Sequence, residues 1–315
     1  MRQNENLLER QADTIERVLG QLGISARVVG GTDTQRITAF ELQAAWSDRL
    51  GGAGNIIAQA LGAQEVRLYP KNGTVVVAEA VKGEPRLLRI DGLYAQTGQL
   101  PPMTAIIGRS QRGEPLVIDM IKSGHLLATG DSGAGKTALI RAIVAGLCLS
   151  MPVKQMNVCL LDPRLRAMGA LARLPHAGTA IMEHDEIHNA LLVLANIVNR
   201  RLRTREQLPA HIVVIDELGE LEEKSAALVG HLLESGGRVG VHVVAGATNA
   251  RAWSGRFPLV AAGAAQDGGP AGSEAHRLEG RGDFVLSTKA GWERFEAAWL
   301  GANELKKVMQ KIGGK

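Results

Sequence analysis

Gly130-Asp131-Ser132-Gly133-Ala134-Gly135-Lys136-Thr137 has the spacing of a phosphate-binding loop: a glycine, four residues, then Gly-Lys-Thr. Ahead of it runs His125-Leu126-Leu127-Ala128-Thr129, a short apolar stretch that reads as a buried strand. Behind it, Leu139, Ile140, Ile143, Val144 and Leu147 recur on one face of a helix. Strand, glycine-rich loop and helix in that order turn a spacing match into a physical site. The glycines let backbone N–H groups turn inward on a polyphosphate, and the helix N-terminus adds its partial positive charge. Lys136 is expected to reach the β- and γ-phosphates, and the Thr137 hydroxyl to sit on Mg²⁺. A glycine-rich turn that binds nothing is the bland alternative, and the complete, correctly flanked match argues against it.

A second apolar run, Ile212-Val213-Val214-Ile215, delivers the adjacent acids Asp216 and Glu217 to a sheet edge. Alone, such a pair reads equally well as a helix cap. Joined to a phosphate loop it reads as chemistry: Asp216 orders Mg²⁺ and Glu217 polarises an attacking water. An acid that activates water points to an ATP hydrolase rather than a kinase. A third run, Val241-His242-Val243-Val244-Ala245, leads to Thr248 and Asn249. Asn249 is the expected γ-phosphate sensor, with a polar turn residue as the alternative.

Composition bounds the rest. The chain has 315 residues, 45% hydrophobic and 22% charged, which suits one large domain or two ordinary ones with a proper core. A net charge of +4 permits a polyanionic partner without demanding one. Only 3% of residues are aromatic, so a nucleic acid held by phosphate contacts is easier to supply than one held by stacked bases. Cys148 and Cys159 share no metal or redox spacing and read as core residues of a reducing compartment. The opening residues form no secretory signal. No window approaches the roughly 18–20 apolar residues of a membrane span. A soluble, cytoplasmic chain is expected.

Residues 1–100 read as a small, β-rich α+β domain. Helices are expected over 5–22 and 55–61, strands over 25–29, 36–42, 65–69 and 74–78, and a linker at 98–102. From Met103 to Lys315 the pattern becomes α/β. Apolar strands at 116–118, 126–129, 158–161, 212–215, 241–245 and 284–286 alternate with helices at 137–149, 186–203 and 225–235. Continuous apolar strands separated by helices point to a mostly parallel sheet covered on both faces. The last residues, 304–315, read as a frayed helix with a basic end.

Several ordered stretches resemble the motor of the FtsK/SpoIIIE family of DNA translocases, within the wider FtsK–HerA group. They begin with Pro115-Leu116-Val117-Ile118-Asp119 and Gly124-His125-Leu126-Leu127, then the phosphate loop and Leu160-Leu161-Asp162-Pro163-Arg164. Leu174-Pro175-His176, Leu208-Pro209, Gly240-Val241-His242, Arg256-Phe257-Pro258 and Leu278-Glu279-Gly280-Arg281-Gly282-Asp283 follow. The resemblance implies a RecA-like P-loop fold, a hexameric ring and ATP-driven movement along double-stranded DNA. Asn249 stands where the family usually has Gln, and Arg164 replaces a usual Lys. Asp131 places an acid inside the loop, which the family geometry would point to solvent.

A ring ATPase also needs an arginine from the neighbouring subunit. Arg256 and Arg281 are the expected candidates, ahead of Arg238 and Arg251, and for each an ordinary surface arginine is the alternative. Arg164, Arg166, Arg173 and Lys224 lie where the family places its DNA loops; solvated charge is the alternative. Arg200, Arg201, Arg203 and Arg205 form a basic cluster read as a solvated helix end or subunit contact. His184 and His188 are four apart, would share a face only if that segment is helical, and read as surface residues flanking a helix start rather than a metal pair. Three other readings stay open: a superfamily relative that moves proteins, a viral or plasmid DNA-packaging or transfer ATPase, and a nucleotide-binding scaffold that hydrolyses little.

Overall fold

The computed structural model describes residues 2–33, 37–82, 87–164, 168–288 and 291–313, the side chains of residues 2–6 aside. It falls into two compact units, one of residues 1–87 with 111–114 and one of residues 88–110 with 115–315.

The smaller unit runs α1 (Arg2–Gln21), β1 (Arg27–Asp33), β2 (Ile37–Gln43), α2 (Asp48–Gly51), α3 (Gly54–Leu61), β3 (Glu65–Asn72) and β4 (Val75–Val81). Its sheet is antiparallel in the order β1-β2-β4-β3. Ile15, Val18 and Leu19 of α1 and Ile57 of α3 bury against Phe40, Leu42, Val76 and Ala78 on one face of that sheet. Both helices and all four strands lie where apolar spacing puts them.

The larger unit continues with α4 (Ile90–Thr97), β5 (Thr104–Ser110), β6 (Pro115–Asp119), α5 (Met120–Ser123), β7 (Leu126–Thr129), α6 (Lys136–Ser150) and β8 (Met156–Leu161). Then come α7 (His184–Thr204), β9 (Ala210–Ile215), α8 (Glu223–Ser235), β10 (Val241–Ala247), β11 (Leu259–Gly263), α9 (Ser273–His276), β12 (Asp283–Thr288), β13 (Gly291–Ala297) and α10 (Ala302–Gly313). The unit starts at Leu88, ahead of the linker expected at 98–102. The reason is burial: Leu88, Ile90 and Leu93 enter its core.

Nine strands form one sheet in the order β6-β5-β13-β12-β11-β7-β10-β9-β8. The run β11-β7-β10-β9-β8 is parallel. Successive strand residues face opposite ways. On β9, Ile212 and Val214 therefore join the core under α6, while Val213 and Ile215 join the core under α7 and α8. Burial on both sides is why these strands read as unbroken apolar runs. The other wing, β12-β13-β5-β6, is antiparallel and adds four strands to the parallel five. Strands β5, β11 and β13 had no counterpart among the expected ones. Leu259-Val260-Ala261-Ala262-Gly263 is small-residue-rich, and β13 carries Glu293, Arg294 and Glu296 among Trp292 and Phe295 with no unbroken apolar run.

Two further expectations change. Helix α10 is packed rather than frayed: Leu305, Val308 and Ile312 share one buried face, and Arg89 pairs with Glu304 at 3.3 Å. Arg201 leaves the basic cluster altogether. Only 1% exposed, it donates to the carbonyls of Val239 at 3.0 Å and Pro209 at 2.7 Å, tying α7 to the approaches of β9 and β10. Among the described residues no helix is long and apolar enough to cross a membrane.

Candidate functional site

The site forms where the parallel strands end. Strand β7 lies between β10 and β11, with Thr129 beside Ala247 and Ala262. Strand β9 flanks β10 on the other side, with Ile215 beside Ala245. Residues just beyond β7, β9 and β10 are thus forced together at one sheet edge, where open parallel sheets bind ligands. Gly246 permits the approach: a Cβ there would stand 2.2 Å from the Asp216 carbonyl oxygen.

The phosphate loop, Gly130 to Thr137, joins β7 to α6. Gly135 has φ 105°, and a Cβ there would stand 2.7 Å from the Gly282 nitrogen. That closeness is used. Arg281 N–H donates to the Gly133 carbonyl at 3.2 Å, and Gly282 N–H to that of Ala134 at 2.8 Å. On the other flank Asp131 N–H donates to Ala264 O at 2.8 Å, while Asp131 Oδ2 accepts from Gln266 N at 2.8 Å. Asp131 is therefore tied to the loop after β11 rather than turned to solvent. Ser132 and Gly133 are exposed along the cleft, and Ala134 is buried beneath them.

Lys136 Nζ donates to the carbonyls of Gly130 at 2.8 Å and Asp131 at 3.1 Å, so its charge sits over the loop. Burial lowers its pKa, and the Arg164 charge adds to this; Glu217 and Asp216 oppose it. Thr137 Oγ1 donates to Asp216 Oδ1 at 2.9 Å. The Asp216 pKa is raised, chiefly by burial and then by Asp162 and Glu217, against the Thr137 hydrogen bond. A hydroxyl and a desolvated carboxylate beside further acids suit a hard cation. Mg²⁺ in phosphate sites takes only one or two protein ligands, with substrate oxygens and waters completing its shell. The donor set fits. Among the described residues no cluster of three His, Cys, Asp or Glu forms a separate metal site.

Glu217 is 4% exposed. Its Oε1 accepts Thr248 N–H at 2.8 Å and its Oε2 the Thr248 hydroxyl at 2.6 Å. Arg164 Nη1 lies 3.7 Å from that same Oε2, and Arg164 Nε donates to Glu220 at 2.9 Å. Glu217, Thr248 and Arg164 line one cleft of about 380 Å³, together with Lys136, Thr137, Asp216 and Arg141.

Lys136, Thr137, Asp216 and Glu217 converge here. Asn249 does not line the cleft: its Oδ1 caps a turn by accepting Arg251 N–H at 3.2 Å, and Thr248 takes the inward position. Arg164, expected in a DNA loop, lines the cleft, because β8 ends beside β9 and residues 162–164 bring it to Glu217 and Glu220. Arg166 lies outside the described residues. Arg173 is exposed at the end of the turn Leu171–Arg173. Lys224 is paired with Asp185 at 3.1 Å and Glu222 at 3.2 Å. Of the two finger candidates, the Arg256 side chain is engaged within its own chain and Arg281 is an exposed residue. Arg256 lies 5.5 Å over the Trp253 ring and 3.4 Å from Glu234, and the Arg281 backbone braces the phosphate loop. His188 Nδ1 is 3.4 Å from Ser225 Oγ. Thr248 and Arg141 are the residues that spacing did not single out for the site.

The chain is similar to proteins of known family. The FtsK/SpoIIIE family model matches residues 95–262. The DNA translocase FtsK of Caldanaerobacter subterraneus subsp. tengcongensis is 28% identical over 274 residues, covering 76% of this chain and 38% of that protein. The DNA translocase FtsK of Agrobacterium fabrum is 24% identical over 180 residues, covering 55% and 20%. The chain thus spans well under half the length of these curated relatives. Among solved structures, the pCW3 conjugation coupling protein TcpA, a monomer form with ATPγS, superposes with a TM-score of 0.64 at 16% identity, covering 96% of this chain and 99% of that one. The Thermomonospora curvata EccC ATPases 2 and 3, in complex with a signal sequence peptide, superpose with a TM-score of 0.57 at 15% identity, covering 71% and 46%. These likenesses establish the fold as that of P-loop ATPases. With the family model matched over more than half its length, the chain belongs to the FtsK/SpoIIIE family.

Proposed function

We propose that this protein hydrolyses ATP and uses the energy to move along double-stranded DNA, as a homo-oligomeric ring of hexameric form. The observation that supports it most is the Thr137–Asp216 contact of 2.9 Å with Glu217 alongside, in a cleft floored by the phosphate loop. In this reading, loop N–H groups and Lys136 bind the β- and γ-phosphates. Thr137 and Asp216 would hold Mg²⁺, which neutralises charge on those phosphate oxygens when bound. Glu217 accepts a proton from the attacking water, and Thr248 fixes the direction of its carboxylate. Water attacks the γ-phosphorus, the bond to the β–γ bridging oxygen breaks, and ADP leaves with inorganic phosphate.

DNA as the substrate is supported by family membership and by relatives named DNA translocases. Exposed Arg173 remains a candidate phosphate contact, which would fix position without reading sequence. The test is ATP hydrolysis by the purified chain with and without long linear duplex, alongside the mass of the assembled particle. Stimulation by duplex of any sequence, weakening as salt rises, is expected. A rate indifferent to DNA but raised by a peptide would contradict the DNA reading.

A further inference from the structure

Glu217 is fully committed as it stands. Both carboxylate oxygens accept from Thr248, and Arg164 stands beside Oε2. Arg164 is held differently. It is 44% exposed, and its hydrogen bonds go to Glu220, itself 43% exposed. An exposed ion pair of that kind contributes little.

Glu217 also fixes where Arg164 stands. With ATP bound as proposed above, its γ-phosphate faces Lys136, Thr137 and Glu217, and Arg164, 3.7 Å from Glu217 in the same cleft, stands at that end too. A terminal phosphate offers a planar guanidinium forked, charge-assisted bonds that a solvated carboxylate cannot match. ADP lacks that group and offers Arg164 no reason to move.

We propose that Arg164 senses the triphosphate within its own subunit, leaving Glu220 and Glu217 for the terminal phosphate of bound ATP. The exchange leaves Thr248 as the positioning residue that aims Glu217 at the attacking water. Arg164 thereby sets the preference for triphosphate over diphosphate and couples it to release of the hydrolytic acid. The inference rests on the cleft being an ATP site.

The test is equilibrium binding of ATPγS and of ADP, each with Mg²⁺, to the full chain by calorimetry. Charge-assisted hydrogen bonds of this kind correspond to about tenfold to a hundredfold in affinity. R164Q should lose that much affinity for ATPγS and change ADP affinity less than about twofold, with an unaltered melting temperature because the side chain is exposed. R164K should fall between. E220Q, which removes the competing carboxylate, should tighten ATPγS a few-fold and leave ADP alone. R164Q lowering both affinities equally, or neither, would overturn the proposal while Lys136-dependent binding keeps the site reading intact. Binding that K136A leaves unchanged would overturn the site reading, and this proposal with it.

Discussion

Two arginine–carboxylate pairs flank the phosphate loop, and they are built for opposite purposes. Arg294 and Asp283 join β13 to β12 through two bonds of 3.0 and 2.8 Å, with side chains only 12% and 5% exposed. Asp283 Oδ2 also accepts Glu279 N–H at 3.0 Å, which shapes the turn whose N–H groups at Arg281 and Gly282 brace the loop from behind. Arg164 and Glu220 stand in front of the loop as an exposed pair, with the buried Glu217 3.7 Å from the same guanidinium. A buried, doubly bonded pair has no cheap alternative partner and serves as framework. An exposed pair can exchange partners, and exchange is what a nucleotide-dependent step requires.

The contrast breaks most visibly on the buried side. R294M leaves the Asp283 charge buried and unpaired and should lower unfolding stability by about 3–5 kcal/mol, read from urea denaturation. R164Q in the same assay should change stability by less than about 0.5 kcal/mol. Equal losses would erase the distinction between the two pairs.

Acid loads the buried framework without a mutation. His125 accepts Val243 N–H at 3.0 Å beneath the loop strand, and burial, followed by the neighbouring His242, lowers its pKa from 6.5 to about 4. Between those values the unfolded chain takes up a proton that the folded chain refuses. Stability is therefore fully present above pH 6.5 and is lost as pH falls toward 4, by up to about 3 kcal/mol from this residue. The urea midpoint should fall across that window more steeply in the wild type than in H125Q. Equal slopes would remove His125 from the framework.

The smallest effect sharpens the exposed side. N249A removes a turn cap outside the cleft and should change ATP turnover less than about twofold, whereas T248V strips Glu217 of a hydroxyl donor and should lower turnover by about tenfold or more. Steady-state hydrolysis of the two variants decides which residue faces the nucleotide.

Much of this was legible beforehand where local chemistry determines the outcome. The loop, Lys136, Thr137, Asp216 and Glu217 could be placed because glycine spacing and strands buried on both faces leave a signature within one segment. Thr248 was passed over for its neighbour because strand residues alternate faces, and which one turns inward depends on the last pairing of β10 with β7. The place of Arg164 in the cleft was not legible for a related reason. Its neighbours in space, Glu217 and Glu220, are brought to it by sheet order, which no single segment encodes. The antiparallel wing was only partly legible because β13 interleaves charges with its aromatics and pairs both with β12 after the loop and with β5 before it, while neighbouring β11 is small-residue-rich. Residues 304–315 were legible as a helix, but the lysines between Leu305, Val308 and Ile312 hid that its apolar face is packed.

The central claim is that Lys136 grips a triphosphate that Glu217-primed water then cuts. Mixing the chain with radiolabelled ATP and following both bound and cleaved nucleotide tests it directly. The wild type should bind and cleave, E217Q should bind ATP while cleaving it about 10²–10⁴-fold more slowly, and K136A should do neither. E217Q cleaving at the wild-type rate, or K136A retaining ATP as well as the wild type, would contradict the account.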